Sequence, residues 1–174
     1  GFVFFSKSPR YVTFSQAADL TALIPESVIK VALVVDPNNT LLSDMVKRVP
    51  IDMIQLQGRE SPQRVREIKE LTGLPVMKAV GVSEPADLEI IDSYANVADQ
   101  LLIDAKPPKG SILPGGNGLT FDWKLMSGKT WDVPWMLAGG LNAENVAEAI
   151  QMTGTAQIDV SSGVEKTPGD KDPD

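Results

Sequence analysis

The sequence predicts an alternating α/β fold in which short buried strands and amphipathic helices follow one another along the chain. Two observations carry this prediction. Apolar runs without polar alternation recur, which is typical of parallel strands covered on both faces. Segments with helical spacing and helix-capping residues separate these runs. The 174 residues, 43% of them hydrophobic, are enough for one domain with a substantial core.

Seven apolar runs predict strands. Their starts lie 22 to 35 residues apart, which is close to the length of one strand–helix unit. The runs cover 1–5, 28–35, 51–57, 75–80, 99–104, 134–138 and 156–161.

Five segments between these runs predict helices. Each opens on a residue that favours a helix N-terminus, and Gly73 and Gly154 are expected to end the third and fifth. Helical spacing predicts that Leu20 and Leu23 of the first helix face the core. The predicted N-terminal residues, in order, are Ser15, Asn38, Ser61, Ser83 and Asn142.

Repeated strand–helix units form either an open doubly wound sheet or a closed eight-stranded barrel. A doubly wound sheet usually has a glycine-rich turn after its first strand, whereas SKSPR follows Phe5 here. The glycine-rich turns follow the last two strands, where (β/α)8 barrels commonly bind phosphate. The sequence therefore favours a (β/α)8 TIM barrel, as a single domain over 1–174. With seven predicted strands and a short segment 164–174, we expect this barrel to be incomplete.

Charge and composition exclude several classes of protein. Lys and Arg number 16 against 23 Asp and Glu, and the net charge of −7 argues against binding nucleic acid or an anionic membrane. The absence of Cys and His excludes disulfides, thiolate metal sites, Ser-His-Asp catalysis and most zinc chemistry within this chain. No apolar run approaches the length of a membrane span, so we expect a soluble, cytoplasmic protein.

Two turns are candidate phosphate sites. Gly139 and Gly140 lie between a strand and a capped helix, where backbone N–H groups approach an anion; the alternative is a tight turn that needs glycine conformations. Ser162 and Gly163, after Ser161, offer hydroxyl and amide donors, and the alternative is an ordinary serine-rich turn. Because the turns follow consecutive strands, a phosphate monoester is the favoured ligand.

Asp104 is the candidate general acid. It ends the apolar run LLID, and apolar surroundings raise the pKa of a carboxyl group. The alternative is an aspartate that caps a turn. The following segment 107–118 is rich in Pro and Gly, which is typical of a mobile active-site flap or of a slack surface loop.

Polar residues near other strands have two interpretations each. Arg10 is either a bidentate clamp for a carboxylate or a solvated surface residue. Gln55, Gln57 and Lys78 lie within buried runs and either fill interior layers or line the mouth of the barrel. The acidic segment 165–174 is expected to be solvated.

Several of these segments together resemble the phosphoribosylanthranilate isomerase family of tryptophan biosynthesis. The motifs occur in the family's order and extend over essentially the whole chain. They are GFVFFSKSPRYV, LQGRE, KAV, LLIDA, GGNGLTFDW, LAGGLNAENV and DVSSGVEKTPGDKD.

The resemblance implies an Amadori rearrangement of N-(5′-phosphoribosyl)anthranilate to 1-(2-carboxyphenylamino)-1-deoxyribulose 5-phosphate. It implies that Asp104 is the general acid, that Arg10 lies near the anthranilate carboxylate, and that Asp159 lies near the ribose. It also implies no metal, no organic cofactor, and a monomer or a homodimer that binds a small phosphoribosyl substrate. The residues that it assigns to the phosphate are Gly139, Gly140, Ser162 and Gly163.

Two departures from the family pattern matter. The family's general base is a cysteine on the first strand, so we expect that the first strand–helix unit and the last helix are missing and that this chain alone is inactive. Gln57 also replaces a histidine common in the family, and an amide does not titrate. Two alternatives to the function implied by the resemblance remain. The chain is then either a non-catalytic phosphate-binding barrel or another ribose-phosphate barrel isomerase.

Overall fold

The computed structural model describes residues 1–108, 110–111 and 113–173. A six-stranded, all-parallel sheet has its strands in chain order, with each strand paired to the next. The strands are β1 (Phe2–Val3), β2 (Val31–Val34), β3 (Met53–Leu56), β4 (Val76–Val82), β5 (Gln100–Ala105) and β6 (Trp135–Leu137).

The seventh predicted strand continues this sheet without forming a long ladder. Ile158 makes a parallel bridge to Leu137 of β6. The Leu137 amide donates to the Gln157 carbonyl at 2.9 Å, and the Asp159 amide donates to the Leu137 carbonyl at 2.8 Å. The segment around Ile158 therefore holds Asp159 next to the carboxyl end of β6.

Helices follow five of the strands, but the fourth and fifth helices begin at Ile91 and Val146, later than the predicted caps Ser83 and Asn142. A small antiparallel hairpin comes last. The α-helices are α1 (Phe14–Thr21), α2 (Asn39–Arg48), α3 (Pro62–Thr72), α4 (Ile91–Ala95) and α5 (Val146–Thr153). Short 3₁₀ turns are Pro85–Leu88, Trp123–Met126 and Ser162–Val164. The hairpin strands are β7 (Glu165–Thr167) and β8 (Asp170–Lys171). In the described part of the chain, no helix is long and apolar enough to cross a membrane.

Capping residues explain where most helices begin and end. The side chains of Asn38 and Ser61 accept the backbone N–H groups of Leu41 and Arg64, so both predicted N-caps are confirmed. The first helix is different, because Thr13 forms a capping box with Gln16 and Ser15 lies inside the helix. The chain therefore enters α1 two residues before the predicted cap.

The predicted orientation of the first helix was wrong. The residues that α1 buries are Ala17 and Thr21, which are one helical turn apart. Leu20 lies on the exposed side of the helix, and Leu23 is 80% exposed because α1 ends before it. The capping box at Thr13 sets this register.

The sheet is covered on both faces. Its outer face packs against the helices, and residues such as Ile54, Val80 and Ile103 belong to this large core. The opposite face carries a small cluster made of Met77, Ala79, Leu102 and Ala138, with Met53 and Met136 packed against it. Because side chains alternate along a strand, Asp104 lies on the same inner face as Leu102, beyond this cluster.

Lys78 has neither of its two predicted roles. Its side chain extends toward the helix layer, where the ammonium group lies 5.5 Å from the centre of the Tyr94 ring in α4. It donates hydrogen bonds to the carbonyls of Leu56 and Gly58 and to the carboxylate of Glu60, which is 2.9 Å away. Lys78 thus ties β4 to the loop after β3.

Candidate functional site

Asp104 lies at the carboxyl end of β5 and is 8% exposed. Its Oδ1 accepts the backbone N–H of Ala105 at 2.8 Å, and its Oδ2 accepts Nε2 of Gln57 at 3.0 Å. Gln57 in turn accepts a hydrogen bond from Gln55 Nε2 at 2.8 Å. Two amide side chains of the β3 region therefore fix the orientation of the carboxyl group.

The surroundings of Asp104 favour its protonated form. The pKa of Asp104 is raised to about 6, mainly by burial and in part by the negative charge of Asp159. The hydrogen bonds from Ala105 and Gln57 oppose this rise because they stabilise the ionised form. A carboxyl group with a pKa near 6 is still partly protonated near neutral pH and can donate that proton, as a general acid must.

Asp104 lines three cavities, and two of them also contain Asp159 and Ser161 in their walls. The volume of the first of these two cavities is about 400 Å³ and that of the second is about 500 Å³, and both volumes include the opening to solvent. Asp104, Asp159, Ser161 and Gly116 line both. A ligand that occupies both cavities would therefore pass directly over the Asp104 carboxyl group.

The first cavity contains the glycine-rich turn after β6. Gly139 and Gly140 have φ values of 91° and 62°, which L-residues rarely adopt. A Cβ atom on Gly139 would lie 2.7 Å from the Ala105 nitrogen and 3.3 Å from Asp104 Oδ1. The backbone of this turn can lie so close to Asp104 because position 139 is a glycine.

The turn after Ile158 closes the same cavity. Ser161 and Ser162 line it, and a Cβ atom on Gly163 would collide with the carbonyl oxygen of Leu141. The two predicted phosphate turns are therefore in contact, with Gly163 packed against the turn that contains Gly139 and Gly140. They form one wall rich in backbone amides and hydroxyl groups.

The second cavity combines apolar side chains with a small number of polar ones. Val3, Leu33 and Val35 supply apolar surface from the first two strands and their ends. Gln55 and Gln57 lie on the inner face and line this cavity, as one of their two predicted roles requires. Among the residues that the structure describes, Arg10 supplies the positive charge in the lining of this cavity. Such a lining suits a flat apolar group that carries a negative charge.

Arg10 is neither a solvated side chain nor a free bidentate clamp. Its Nε and Nη2 donate to Oε1 and Oε2 of Glu165 at 2.8 and 2.7 Å. Its Nη1 lies on the side of Gly116, where an added Cβ atom would be 2.9 Å away. Glu165 therefore occupies the Nε–Nη2 edge of the guanidinium group, and the role of Arg10 toward a ligand carboxylate stays a prediction.

One of these residues, Glu165, was missed by sequence reasoning. Glu165 opens the acidic segment 165–174, which is expected to be solvated, yet its side chain is 3% exposed. No local pattern indicates this pairing, since 155 positions separate Arg10 from Glu165. The Gln55–Gln57 bond did have a signal, because residues two apart in a strand share a face.

The segment 107–118 lies over the site, apart from residues 109 and 112, which lie outside the described residues. A Cβ atom on Gly115 would lie 2.8 Å from Asp104 Oδ2, and one on Gly118 would lie 3.5 Å from the Ser162 hydroxyl. The described part of this segment thus covers both Asp104 and the serine turn. Its mobility stays a prediction.

Asp159 follows the Ile158 bridge and lines both cavities. Burial raises the pKa of Asp159, while the positive charges of the N-terminal amine and Lys171 oppose this rise. Asp104 and Asp159 therefore form a pair of carboxyl groups that both bind protons more tightly than exposed aspartates do.

The chain is similar to one protein family over its whole length. The family model for N-(5'-phosphoribosyl)anthranilate (PRA) isomerase matches residues 1–174. An N-(5'-phosphoribosyl)anthranilate isomerase of Cereibacter sphaeroides is 59% identical over 173 residues, which are 99% of this chain and 82% of the relative.

Two solved structures have the same fold. The phosphoribosyl anthranilate isomerase of Thermotoga maritima superposes with a TM-score of 0.84 at 35% identity, over 98% of this chain and 80% of that one. A phosphoribosyl anthranilate isomerase in complex with reduced 1-(o-carboxyphenylamino)-1-deoxyribulose 5-phosphate has a TM-score of 0.80 at 32% identity. This match covers 98% of this chain and 79% of that one.

Proposed function

Because the chain belongs to the N-(5'-phosphoribosyl)anthranilate isomerase family, we propose that its two cavities bind N-(5′-phosphoribosyl)anthranilate and that Asp104 is the general acid of its rearrangement. The family catalyses an isomerisation in tryptophan biosynthesis. The observation that carries the proposed roles is the position of Asp104 in the wall that the two cavities share.

The first cavity takes the phosphate group. The donors are the backbone N–H groups of the turn at Gly139 and Gly140 and those at Ser162 and Gly163, together with the Ser162 hydroxyl. Support comes from the close contact of these two turns and from the positive φ of both glycines. Backbone amides and hydroxyl groups bind a phosphate monoester without an additional cation.

The second cavity takes the anthranilate group. The apolar side chains of Val3, Leu33 and Val35 contact the ring, and Nη1 of Arg10 donates to its carboxylate. With the aromatic and phosphate ends in separate cavities, the ribose lies between them, next to Asp104 and Asp159. Asp159 contacts ribose oxygens in this arrangement.

Asp104 begins the reaction as a protonated carboxyl group. As the bond between C1′ and the furanose ring oxygen breaks, the electron pair goes to the oxygen and the proton of Asp104 goes with it. The substrate nitrogen shares its lone pair with C1′, so an iminium ion forms. Loss of the C2′ proton to a base then gives an enolamine, which tautomerises to the ketone product.

The expectation that this chain alone is inactive has no support from the comparisons. The curated relative matches 99% of the chain at 59% identity. The sequence contains no cysteine, so it has no counterpart of the cysteine that the family resemblance implies as the general base. We expect measurable turnover by the purified protein.

The test compares wild type with Asp104→Asn in a turnover assay. Asparagine keeps the shape of the side chain but has no acidic proton, so we expect kcat to fall about 100- to 10,000-fold. Affinity for the reduced product analogue should change little, because binding depends on the two cavities. In wild type, kcat/KM should fall as the pH rises above about 6, where Asp104 loses its proton. Asp19→Asn, on the exposed side of α1, is the matched control.

Two results would overturn this proposal. Turnover by Asp104→Asn equal to that of wild type would remove Asp104 from the chemistry. A wild-type protein that binds the analogue but never turns substrate over would instead indicate a phosphate-binding protein.

A further inference from the structure

Glu165 is buried next to the site although it belongs to the hairpin at the end of the chain. Its side chain is 3% exposed, and the Arg10 side chain with which it pairs is 14% exposed. Both bonds of the pair are short, at 2.8 and 2.7 Å, and each oxygen faces a different nitrogen. Lys171 of β8 approaches Oε1 to 2.9 Å from the solvent side.

This side-on pair fixes the plane of the Arg10 guanidinium group. A guanidinium group is flat, and two parallel bonds along one edge leave it little freedom to rotate. The nitrogen outside the pair is Nη1, which lies against Gly116 in the wall of both cavities. Glu165 thus decides which part of Arg10 a ligand meets.

We propose that Glu165 is a positioning residue that turns Nη1 of Arg10 toward the carboxylate of the aromatic ring, and so selects substrates whose arylamine carries that carboxylate. This inference rests on the proposed function, because it needs an anthranilate group in the second cavity.

The charges around Glu165 indicate that it positions Arg10 and does not compete with the substrate carboxylate for Arg10. One carboxylate lies between two cations, Arg10 and Lys171, so the three groups together retain a charge of +1. The same two cations hold the pKa of Glu165 at about 2, hydrogen bonding by Arg10 being the largest cause. Glu165 is therefore ionised at every pH at which the protein is expected to work, and the group of Arg10, Glu165 and Lys171 still carries one positive charge.

The test measures the affinity of two ligands for wild type and for Glu165→Gln. The first ligand is reduced 1-(o-carboxyphenylamino)-1-deoxyribulose 5-phosphate, and the second is the same compound without the ring carboxylate. We expect the variant to bind the first ligand about tenfold more weakly, since the charge-assisted contact to Arg10 is misplaced. It should bind the second ligand within about twofold of wild type, because that ligand makes no contact with Arg10.

Two further variants complete the experiment. Glu165→Asp keeps the charge on a shorter side chain and should lie between wild type and Glu165→Gln in its preference for the first ligand. It also tests the proposal if Glu165→Gln does not fold. Glu26→Gln removes an exposed carboxylate that lines neither cavity and should behave as wild type with both ligands.

Three outcomes would overturn the inference. Equal weakening of both ligands would mean that Glu165 has only a structural role. Tighter binding of the carboxylated ligand by Glu165→Gln would mean that Glu165 competes with the substrate. A wild-type protein that binds neither ligand would contradict the proposed function itself, which separates that failure from a failure of the positioning role.

Discussion

At the scale of single residues, the amide group of Gln57 orients the Asp104 carboxyl group and modifies its pKa. A histidine is common at this position in the resembling family, and an imidazole would bring a second titrating group next to the acid. Gln57 donates one hydrogen bond to Asp104 and accepts one from Gln55, so its own orientation is fixed. The acid thus has a neighbour whose charge is the same at every pH.

Replacing Gln57 should therefore move the pH profile of the reaction. In Gln57→Leu the donor to Asp104 Oδ2 is lost, and that bond lowers the pKa of Asp104 in the wild-type protein. We expect the alkaline limb of kcat/KM to move to higher pH by up to about one unit, since a hydrogen bond of about 1 kcal/mol corresponds to somewhat less than one pKa unit.

The matched control is Gln63→Leu, which removes an exposed amide from α3. Its pH profile should coincide with that of wild type. A limb that stays in place or moves to lower pH in Gln57→Leu would contradict the role assigned to the bond between Gln57 and Asp104.

At the scale of elements, one buried ion pair connects the loops after β2 and β3 with β4. The side chains of Lys78 and Glu60 are 3% and 1% exposed. Glu60 also accepts the backbone N–H groups of Asp36 and Gly58, at 2.8 and 3.2 Å. Three segments at the carboxyl edge of the sheet are thereby held in one arrangement, close to Gln57.

Breaking this pair should destabilise the protein strongly. Lys78→Met leaves Glu60 buried without its cation, and losing one partner of a buried pair typically costs about 3–5 kcal/mol. Urea unfolding should show this loss in the free energy of unfolding. The double variant Lys78→Met/Glu60→Gln should lose less than the sum of the two single variants, because neither charge is then left alone.

The control for this pair is Lys69→Met. Lys69 pairs with Asp99 on a surface where both side chains are more than 30% exposed, so its loss should cost no more than about 1 kcal/mol. Additive losses in the double variant would show that Lys78 and Glu60 contribute independently.

At the scale of the whole molecule, the site is maintained at the expense of stability. The pKa of Asp104 is raised from 3.8 to about 6, so the folded protein binds this proton more tightly than the unfolded chain does. Between these two values the folded state carries more protons, and its stability falls as the pH rises. Above about pH 6 the cost is fully present, and two pKa units correspond to about 3 kcal/mol.

Asp104→Asn should therefore be more stable than wild type at pH 7 to 8, by at most about 3 kcal/mol. The gain should fade as the pH falls from about 6 to below 3.8, where Asp104 is protonated in both states of the wild type. Thermal or urea unfolding at several pH values measures this difference. A stabilisation that does not depend on pH would mean that packing, and not the buried charge, explains it.

The alternation of elements was readable from the sequence because it depends on local patterns. Continuous apolar runs predicted all six paired strands and the segment at Ile158, and Asn38 and Ser61 marked two helix starts. The register of α1 was not readable, since Thr13 and Ser15 both favour an N-cap and the capping box with Gln16 decided between them. The direction of Lys78 depended on Glu60, which lies in another loop.

The sequence by itself determined the order of strands and helices, the family, and the position of Asp104 at the end of a buried strand. These follow from residue spacing and from motifs within short segments. Only the tertiary structure decided that Arg10 pairs with Glu165 and that Gln57 bonds to Asp104. Such contacts join residues that are distant in the chain, and their geometry depends on how the sheet curves and how its loops pack.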